Sequence, residues 1–137
     1  MTDAQLTHDL RLACMHIARR VRLEGSAELP PHLVAVLAGV DKGARTPGEL
    51  AEVERVSAPS MTRNVAALCE RGLVRRDEHP TDGRQVLVSI TPEGRQLLQA
   101  VRRSRDEWLD VRLADLSARD RALLERATEL LRKVAEQ

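Results

Sequence analysis

Aromatic side chains are almost absent from this sequence of 137 residues, which contains one tryptophan, Trp108, and no phenylalanine or tyrosine. Domains that bind single-stranded nucleic acid by stacking bases on aromatic rings need several such side chains, so that class is excluded. Cysteine is scarce as well, because Cys14 and Cys69 lie far apart and neither belongs to a Cys-x-x-Cys pair. The sequence therefore predicts no metal site, no cofactor and no disulfide framework.

Long apolar runs and an excess of one charge are also missing. The longest apolar run, residues 33–40, is far shorter than the roughly 20 residues that a membrane helix needs. The amino terminus carries Asp3, His8 and Asp9 instead of the basic segment of a signal peptide, so we expect a cytoplasmic protein that does not associate with membranes. With 22 Lys and Arg against 21 Asp and Glu, the net charge of +1 gives no general attraction to nucleic acid.

The sequence contains a regular succession of helix signals in a composition typical of one soluble globular domain. Thr2 and Gln5 form a capping box for a first helix, which Gly25 ends. Its apolar residues recur at steps of three and four, as on one helix face: Leu6, Leu10, Ala13, Ile17 and Val21. Pro31 then starts a second, apolar helix that ends at Gly43.

Two short helices follow in close succession. Thr46 and Pro47 start the first, and Ser57 caps the second, predicted over residues 58–71. Helices separated by so few residues cross steeply, which is the helix-turn-helix arrangement. The positions predicted to face inward are Leu50, Val53, Val56, Met61, Val65 and Leu68. The outward face of the second helix then carries Pro59, Ser60, Thr62 and Arg63.

A hairpin and two further helices complete the chain. Two strands are predicted at residues 73–77 and 85–90, with Asp82 and Gly83 marking the turn between them. Thr91 starts a long helix, and Ser117 starts the last one, whose apolar stripe runs to the end of the chain. The first and last helices carry more apolar surface than a lobe of this size can cover, which is typical of a dimer interface.

The predicted fold is therefore mainly α with a small β-hairpin in a single domain. A winged helix-turn-helix lobe occupies residues 31–91, and dimerisation helices occupy residues 1–29 and 92–137. The lobe suits duplex DNA, because the major groove of B-DNA admits one α-helix and Arg63 can donate a forked pair of hydrogen bonds to guanine. Arg84, held by a salt bridge from Asp82, can enter the minor groove, and Arg75 can contact phosphate.

The run VSAPSMTRNVAALCERGLVRR, followed by HPTDGRQVLVSITPEG, resembles the multiple-antibiotic-resistance regulator (MarR) family of bacterial transcription factors. The resemblance covers essentially the whole chain. It implies a homodimer, joined by the first and last helices of both protomers, that binds a pseudo-palindromic operator and usually represses transcription. On matching positions it implies that Ser57, Ser60, Thr62 and Arg63 touch DNA, and that Asp82 and Arg84 form the wing motif. Gly83 departs from the family, where many members carry a second basic residue.

The same resemblance implies an effector. Family members often bind small aromatic or phenolic anions in a crevice between the dimer helices and the winged lobe, and His16 and Arg20 are the residues expected to line it here. One branch of the family senses hydroperoxides through a cysteine near Cys14, but it uses tyrosines that this chain lacks, and a buried Cys14 with a purely packing role is the alternative. His8 and His16 lie too far apart to hold one metal.

Two functions, one of them with a variant, are thus open on the sequence alone. The first is ligand-responsive repression by a DNA-binding homodimer, and the second is a helical protein–protein adaptor that retains a winged-helix shape. Redox-dependent regulation through Cys14 is a variant of the first. An enzyme is not expected, because the sequence shows no nucleophile paired with histidine and no glycine-rich phosphate loop.

Overall fold

A computed structural model describes residues 1–25 and 28–137. Within these ranges the chain forms six helices and two strands. The helices are α1 (Asp3–Glu24), α2 (Pro31–Asp41), α3 (Pro47–Glu54), α4 (Ala58–Glu70), α5 (Pro92–Leu113) and α6 (Ala118–Ala135), and the strands are β1 (Val74–Glu78) and β2 (Val86–Ile90). The mainly helical architecture with one small hairpin is therefore confirmed.

Hydroxyl side chains begin five of the six described helices. Each accepts a hydrogen bond from the backbone N–H three residues further on, which satisfies one of the unpaired donors of the first turn. The five N-cap residues are Thr2, Thr46, Ser57, Thr91 and Ser117. These local signals are confirmed, and for this reason the helix starts lie where the sequence predicts them.

One hydrophobic core lies inside the lobe built by α2, α3, α4, the hairpin and the first half of α5. Its buried residues include Leu33, Val36, Leu37, Val40, Leu50, Met61, Val65, Leu68, Val88, Leu98 and Val101. Two predicted core residues are wrong, since Val53 is 60% exposed and Val56 is 38% exposed. The reason is the short length of α3, which packs through Leu50 and Ala51 and ends at Arg55 in the left-handed conformation, with φ 54°.

The hairpin pairs β1 with β2 in antiparallel register, from Val74 opposite Ile90 to Glu78 opposite Val86. We call residues 74–90 the wing. An isolated bridge, which the sequence does not predict, joins the segment before α3 to the wing, because Arg45 exchanges two backbone hydrogen bonds with Val88, of 3.0 and 2.7 Å. A single bridging residue has no alternating pattern, so only the structure reveals how the segment before α3 is attached to the wing.

The start of α5 is locked against the turn that joins α4 to β1. Thr91 donates its hydroxyl hydrogen to the carbonyl of Gly72 at 2.6 Å, and its N–H donates to the carbonyl of Leu73 at 3.1 Å. Gly94, in the first turn of α5, faces the same carbonyl so closely that a Cβ on Gly94 would overlap the oxygen of Leu73. Only glycine fits at this crossing, and the direction of α5 is fixed by it.

The outer helices α1 and α6 are different, because neither contains a buried residue within the described ranges. Their exposed apolar side chains are Leu6, Leu10, Leu12, Met15, Ile17 and Leu23 on α1, and Leu123, Leu124, Leu130 and Val134 on α6. None of the described helices is both long and apolar enough to cross a membrane.

The end of α1 rests on the middle of α5. A Cβ on Gly25 would lie 2.8 Å from Cα of Arg105, so the two helices touch backbone to backbone at this point. Burial lowers the pKa of the Arg105 guanidinium, and the positive charge of Arg22 lowers it further. Nearby, Trp108 of α5 contacts two guanidinium groups, with Cζ of Arg112 3.7 Å and Cζ of Arg20 5.0 Å from the ring centroid.

Candidate nucleic-acid interface

One face of α4 is polar and open to solvent, and the opposite face is buried. Met61, Val65 and Leu68 point into the core and are almost fully inaccessible. The polar face of α4, by which we mean the sequence-predicted residues Ser57, Pro59, Ser60, Thr62 and Arg63, is exposed except for Ser60, which is half-buried. The structure therefore brings these five residues together at the amino-terminal half of one helix.

Hydrogen bonds organise this face. The Ser57 hydroxyl accepts the N–H of Ser60 at 3.2 Å and donates to the Ser60 hydroxyl oxygen at 3.0 Å. The same Ser60 oxygen accepts from Nη2 of Arg63 at 3.2 Å. Arg63 has no carboxylate partner within the described ranges, so its other N–H donors remain available to an outside acceptor.

Thr62 presents a different surface to solvent. Its hydroxyl donates to the carbonyl of Ala58 at 3.0 Å, one turn earlier on α4. This bond turns the hydroxyl hydrogen towards the helix and leaves the oxygen lone pairs and the methyl group facing out. Thr62 is thus suited to accept a hydrogen bond or to contact an apolar group such as the methyl of thymine.

The tip of the wing carries Arg84, whose side chain is 97% exposed. Asp82 accepts the backbone N–H of Arg84 at 3.1 Å through Oδ1, and the same oxygen lies 3.9 Å from Nε of Arg84. The predicted contact between the two side chains is therefore loose. The stronger interaction of the Asp82 carboxylate is its hydrogen bond to the backbone of Arg84, which stabilises the turn. Within the described ranges the guanidinium of Arg84 donates no hydrogen bond, so its N–H groups are available to an outside acceptor.

The predicted phosphate contact Arg75 is engaged elsewhere. Its Nε donates to Oδ2 of Asp77 at 2.9 Å, and both side chains are more than half exposed. This carboxylate offsets the charge of Arg75. Arg76 is also exposed, and alternation along β1 directs it to the opposite face of the strand.

Sequence reasoning missed His79 as part of this site. Its ring nitrogen Nδ1 lies within hydrogen-bonding distance of the backbone nitrogens of Thr81 and Asp82, at 3.3 and 3.2 Å. A histidine between a strand and a proline carries no general signal for this role. Only the folded loop shows it.

The two residues expected to line an effector crevice, His16 and Arg20, lie one turn apart on α1. His16 lines an open groove along α1 together with Leu12, Cys14, Met15, Ala18, Arg19 and Arg22. Arg20 instead pairs with Glu24 at 3.0 Å and lies over Trp108. Cys14 is exposed in this chain. No cluster of three or more potential metal-ligating side chains lies in the part of the chain that the structure describes.

Known proteins resemble this chain over nearly its whole length. Residues 29–85 match the family model described as the MarR family. An HTH-type transcriptional regulator from Mycobacterium tuberculosis is 46% identical over 132 residues, which cover 95% of this chain and 92% of that protein.

Solved structures of transcriptional regulators also resemble this chain. One from Pseudomonas aeruginosa superimposes with a TM-score of 0.85 at 35% identity, over 98% of this chain and 96% of that one. Wild-type MarR from E. coli in its apo form gives a TM-score of 0.75 at 25% identity, over 98% and 97% of the two chains. The matched structures extend beyond the lobe to α1, α5 and α6, and they confirm the predicted winged-helix fold.

Proposed function

The chain belongs to the MarR family of transcriptional regulators, and on this premise we propose that it represses transcription. It binds a pseudo-palindromic operator in double-stranded DNA as a homodimer, with α4 in the major groove and the wing in the minor groove. A small aromatic or phenolic anion releases the operator, and the site of action is the cytoplasm. The proteins of this family are regulators and not enzymes, as the sequence predicts.

The observation that carries the proposal is the polar face of α4. An arginine with free donors, beside short hydroxyl side chains at the start of an otherwise packed helix, matches what the major groove presents. Arg63 can donate two parallel hydrogen bonds to O6 and N7 of guanine, and the short neighbours allow the helix to approach closely. The N-terminal end of α4, with its positive dipole, favours a phosphate beside Ser57.

The wing supplies a second contact. The Arg84 side chain is 97% exposed and its contact with Asp82, at 3.9 Å, is loose, and the electrostatic potential of a narrow minor groove is the most negative on the duplex surface. Gly83 adds no charge next to it, so Arg84 is the one arginine at the tip of the wing, residues 79–85. Because Arg75 is already paired with Asp77, we assign it a weaker contribution to phosphate binding.

A dimer follows from energetics and from the uncovered apolar side chains. A specific site needs roughly 4 to 10 kcal/mol of preference over random DNA, which one helix and one wing do not supply. Two copies whose α4 helices lie about 34 Å apart would meet successive major grooves. The apolar residues of α1 and α6 that stand in solvent here would then be buried between the two protomers.

The effector would enter beside the dimer helices. The groove along α1 combines apolar side chains with His16, Arg19 and Arg22, a lining that suits a small anion with an apolar body. Arg20 lies one turn after His16 on α1 and contacts Trp108 of α5. Effector binding in this groove would change the packing of α1 against α5. It would thereby change the positions of the two lobes of the dimer relative to each other.

Fluorescence anisotropy with a duplex selected from a random library tests the proposal. Arg63→Ala should weaken binding by about 1 to 3 kcal/mol and relax the preference at one base position of each half-site. Arg103→Ala is the matched control, because Arg103 is an exposed arginine on α5 outside the proposed interface. If the Arg63→Ala and Arg84→Ala variants both bind like the unmodified protein, DNA binding through this face is refuted and the adaptor function is favoured.

A further inference from the structure

The loop at the tip of the wing, residues 79–85, is organised around one side chain. His79 follows directly after β1, and its N–H donates to the carbonyl of Gln85 at 3.2 Å, which closes the loop. Its imidazole Nδ1 lies 3.3 Å from the backbone nitrogen of Thr81 and 3.2 Å from that of Asp82. The Thr81 hydroxyl oxygen is also 3.3 Å from this nitrogen. The ring therefore stands at the centre of the turn.

These contacts fix the chemical state of the ring. A backbone N–H can only donate, so Nδ1 must accept and cannot carry a proton. The proton of the neutral ring is then on Nε2. Because Nδ1 has a single lone pair, the two N–H groups share it as a bifurcated hydrogen bond, which agrees with the distances of 3.2 and 3.3 Å.

A second set of contacts leads from this ring to Arg84. The backbone N–H of Asp82 donates to the His79 ring. The Asp82 carboxylate in turn accepts the N–H of Arg84 at 3.1 Å, and the Asp82 carbonyl accepts the N–H of Gln85 at 3.0 Å. Pro80 has no N–H to give. Four backbone N–H groups of the loop are thus satisfied. Those of Thr81 and Asp82 donate to the His79 ring, and those of Arg84 and Gln85 donate to Asp82.

We propose that His79 is a positioning residue of the wing: its neutral ring, accepting at Nδ1, fixes the turn that directs Arg84 at DNA. The last step of this proposal, the contact of Arg84 with DNA, rests on the proposed function, because Arg84 has this role only if the wing binds a duplex. His79 itself does not touch the DNA in this scheme. It acts through Asp82.

The free protein tests the first half. Nitrogen-15 spectra of the His79 ring should show the tautomer with the proton on Nε2. His79→Ala should increase amide exchange at residues 81 and 82 by about three- to tenfold, the loss expected from one net hydrogen bond. His79→Asn should restore protection, because an asparagine side-chain oxygen accepts from the N–H two residues on. His32→Ala, at an exposed histidine of α2, is the control.

DNA binding tests the second half. His79→Ala should weaken operator binding by about three- to tenfold, and His79→Asn should recover most of it. The double variant with Arg84→Ala should bind no more weakly than Arg84→Ala alone, since a residue that acts through Arg84 has nothing further to lose. If His79 had only a general structural role, the double variant would bind the operator more weakly than Arg84→Ala alone.

The outcomes separate the two claims. If operator binding needs Arg63 and Arg84 but His79→Ala leaves it unchanged, or if the losses add, the role of His79 is refuted and the proposed function stands. A ring with its proton on Nδ1 also refutes it. If the unmodified protein prefers no duplex sequence, the proposed function fails and the role of His79 in DNA binding fails with it.

Discussion

The carboxylate of Asp41 accepts a hydrogen bond from Arg102, with Oδ2 and Nη1 3.3 Å apart. Its other oxygen lies 3.4 Å from Nε of Arg95, so one acidic side chain at the end of α2 holds two arginines that are two turns apart on α5. This contact joins the lobe that carries α4 to the long helix that leads to α6.

Replacing Asp41 by asparagine should lower the free energy of unfolding by about 1 kcal/mol or less, because solvent screens ion pairs whose arginines are half exposed. The loss should shrink in molar salt. Urea denaturation at low and high salt measures both. Asp106→Asn is the control, since Asp106 is exposed and has no ion pair within the described ranges. Equal losses in the two variants would contradict a role for the contact.

Replacing Gly94 by alanine should destabilise the protein by about 1 to 3 kcal/mol, because the new Cβ would overlap the Leu73 carbonyl oxygen and force α5 away from the turn before β1. Gly48→Ala is a close control: Gly48 also lies in the first turn of a helix, after Pro47, and its Cβ would meet nothing nearer than 3.8 Å. That variant should be neutral or slightly stabilised. Thermal unfolding of both checks the prediction, which fails if the two variants melt together.

Replacing Leu130 by glutamate should shift the protein from dimer to monomer. The side chain is 63% exposed in one chain, and both copies would bury it, so the dimer should weaken by about 3 to 6 kcal/mol. Sedimentation velocity over a range of concentrations measures this, with circular dichroism to monitor helix content. Val53→Glu alters an equally exposed apolar residue on the lobe and should leave the dimer intact. An unmodified protein that is monomeric at every concentration would rule the dimer out.

Binding to the operator should fall with salt, and random duplex should be held weakly, because the net charge of +1 leaves few phosphates neutralised. Arg84→Ala should reduce the slope of log K against log salt by about one per protomer. Anisotropy titrations at several salt concentrations give the slope. Comparable affinity for random and operator duplexes would contradict the prediction, as would an unchanged slope in the variant.

Local chemistry could be predicted from the sequence, and long-range geometry could not. The caps at Thr46, Ser57 and Thr91 are confirmed because each depends on a hydrogen bond three residues away. The errors at Val53 and Val56 arise because α3 ends on Arg55, a left-handed residue where glycine is usual.

The candidate site follows the same division. The polar face of α4 could be predicted, because helical periodicity assigns Arg63 and the buried Val65 to opposite sides once the helix is recognised. The contact of Arg20 with Trp108 could not, since it depends on where α5 meets α1. The role of His79 depends on the path of a loop, for which the sequence has no periodic pattern.

Trp108 gives this protein an intrinsic optical probe. Its indole is the only strong near-ultraviolet emitter in the chain, and it lies where α1 meets α5, in contact with the guanidinium groups of Arg20 and Arg112. Any change in the angle between these helices alters the surroundings of that single fluorophore. Steady-state emission of the unlabelled protein can therefore follow helix movement, with no dye attached and no second emitter within the sequence to subtract.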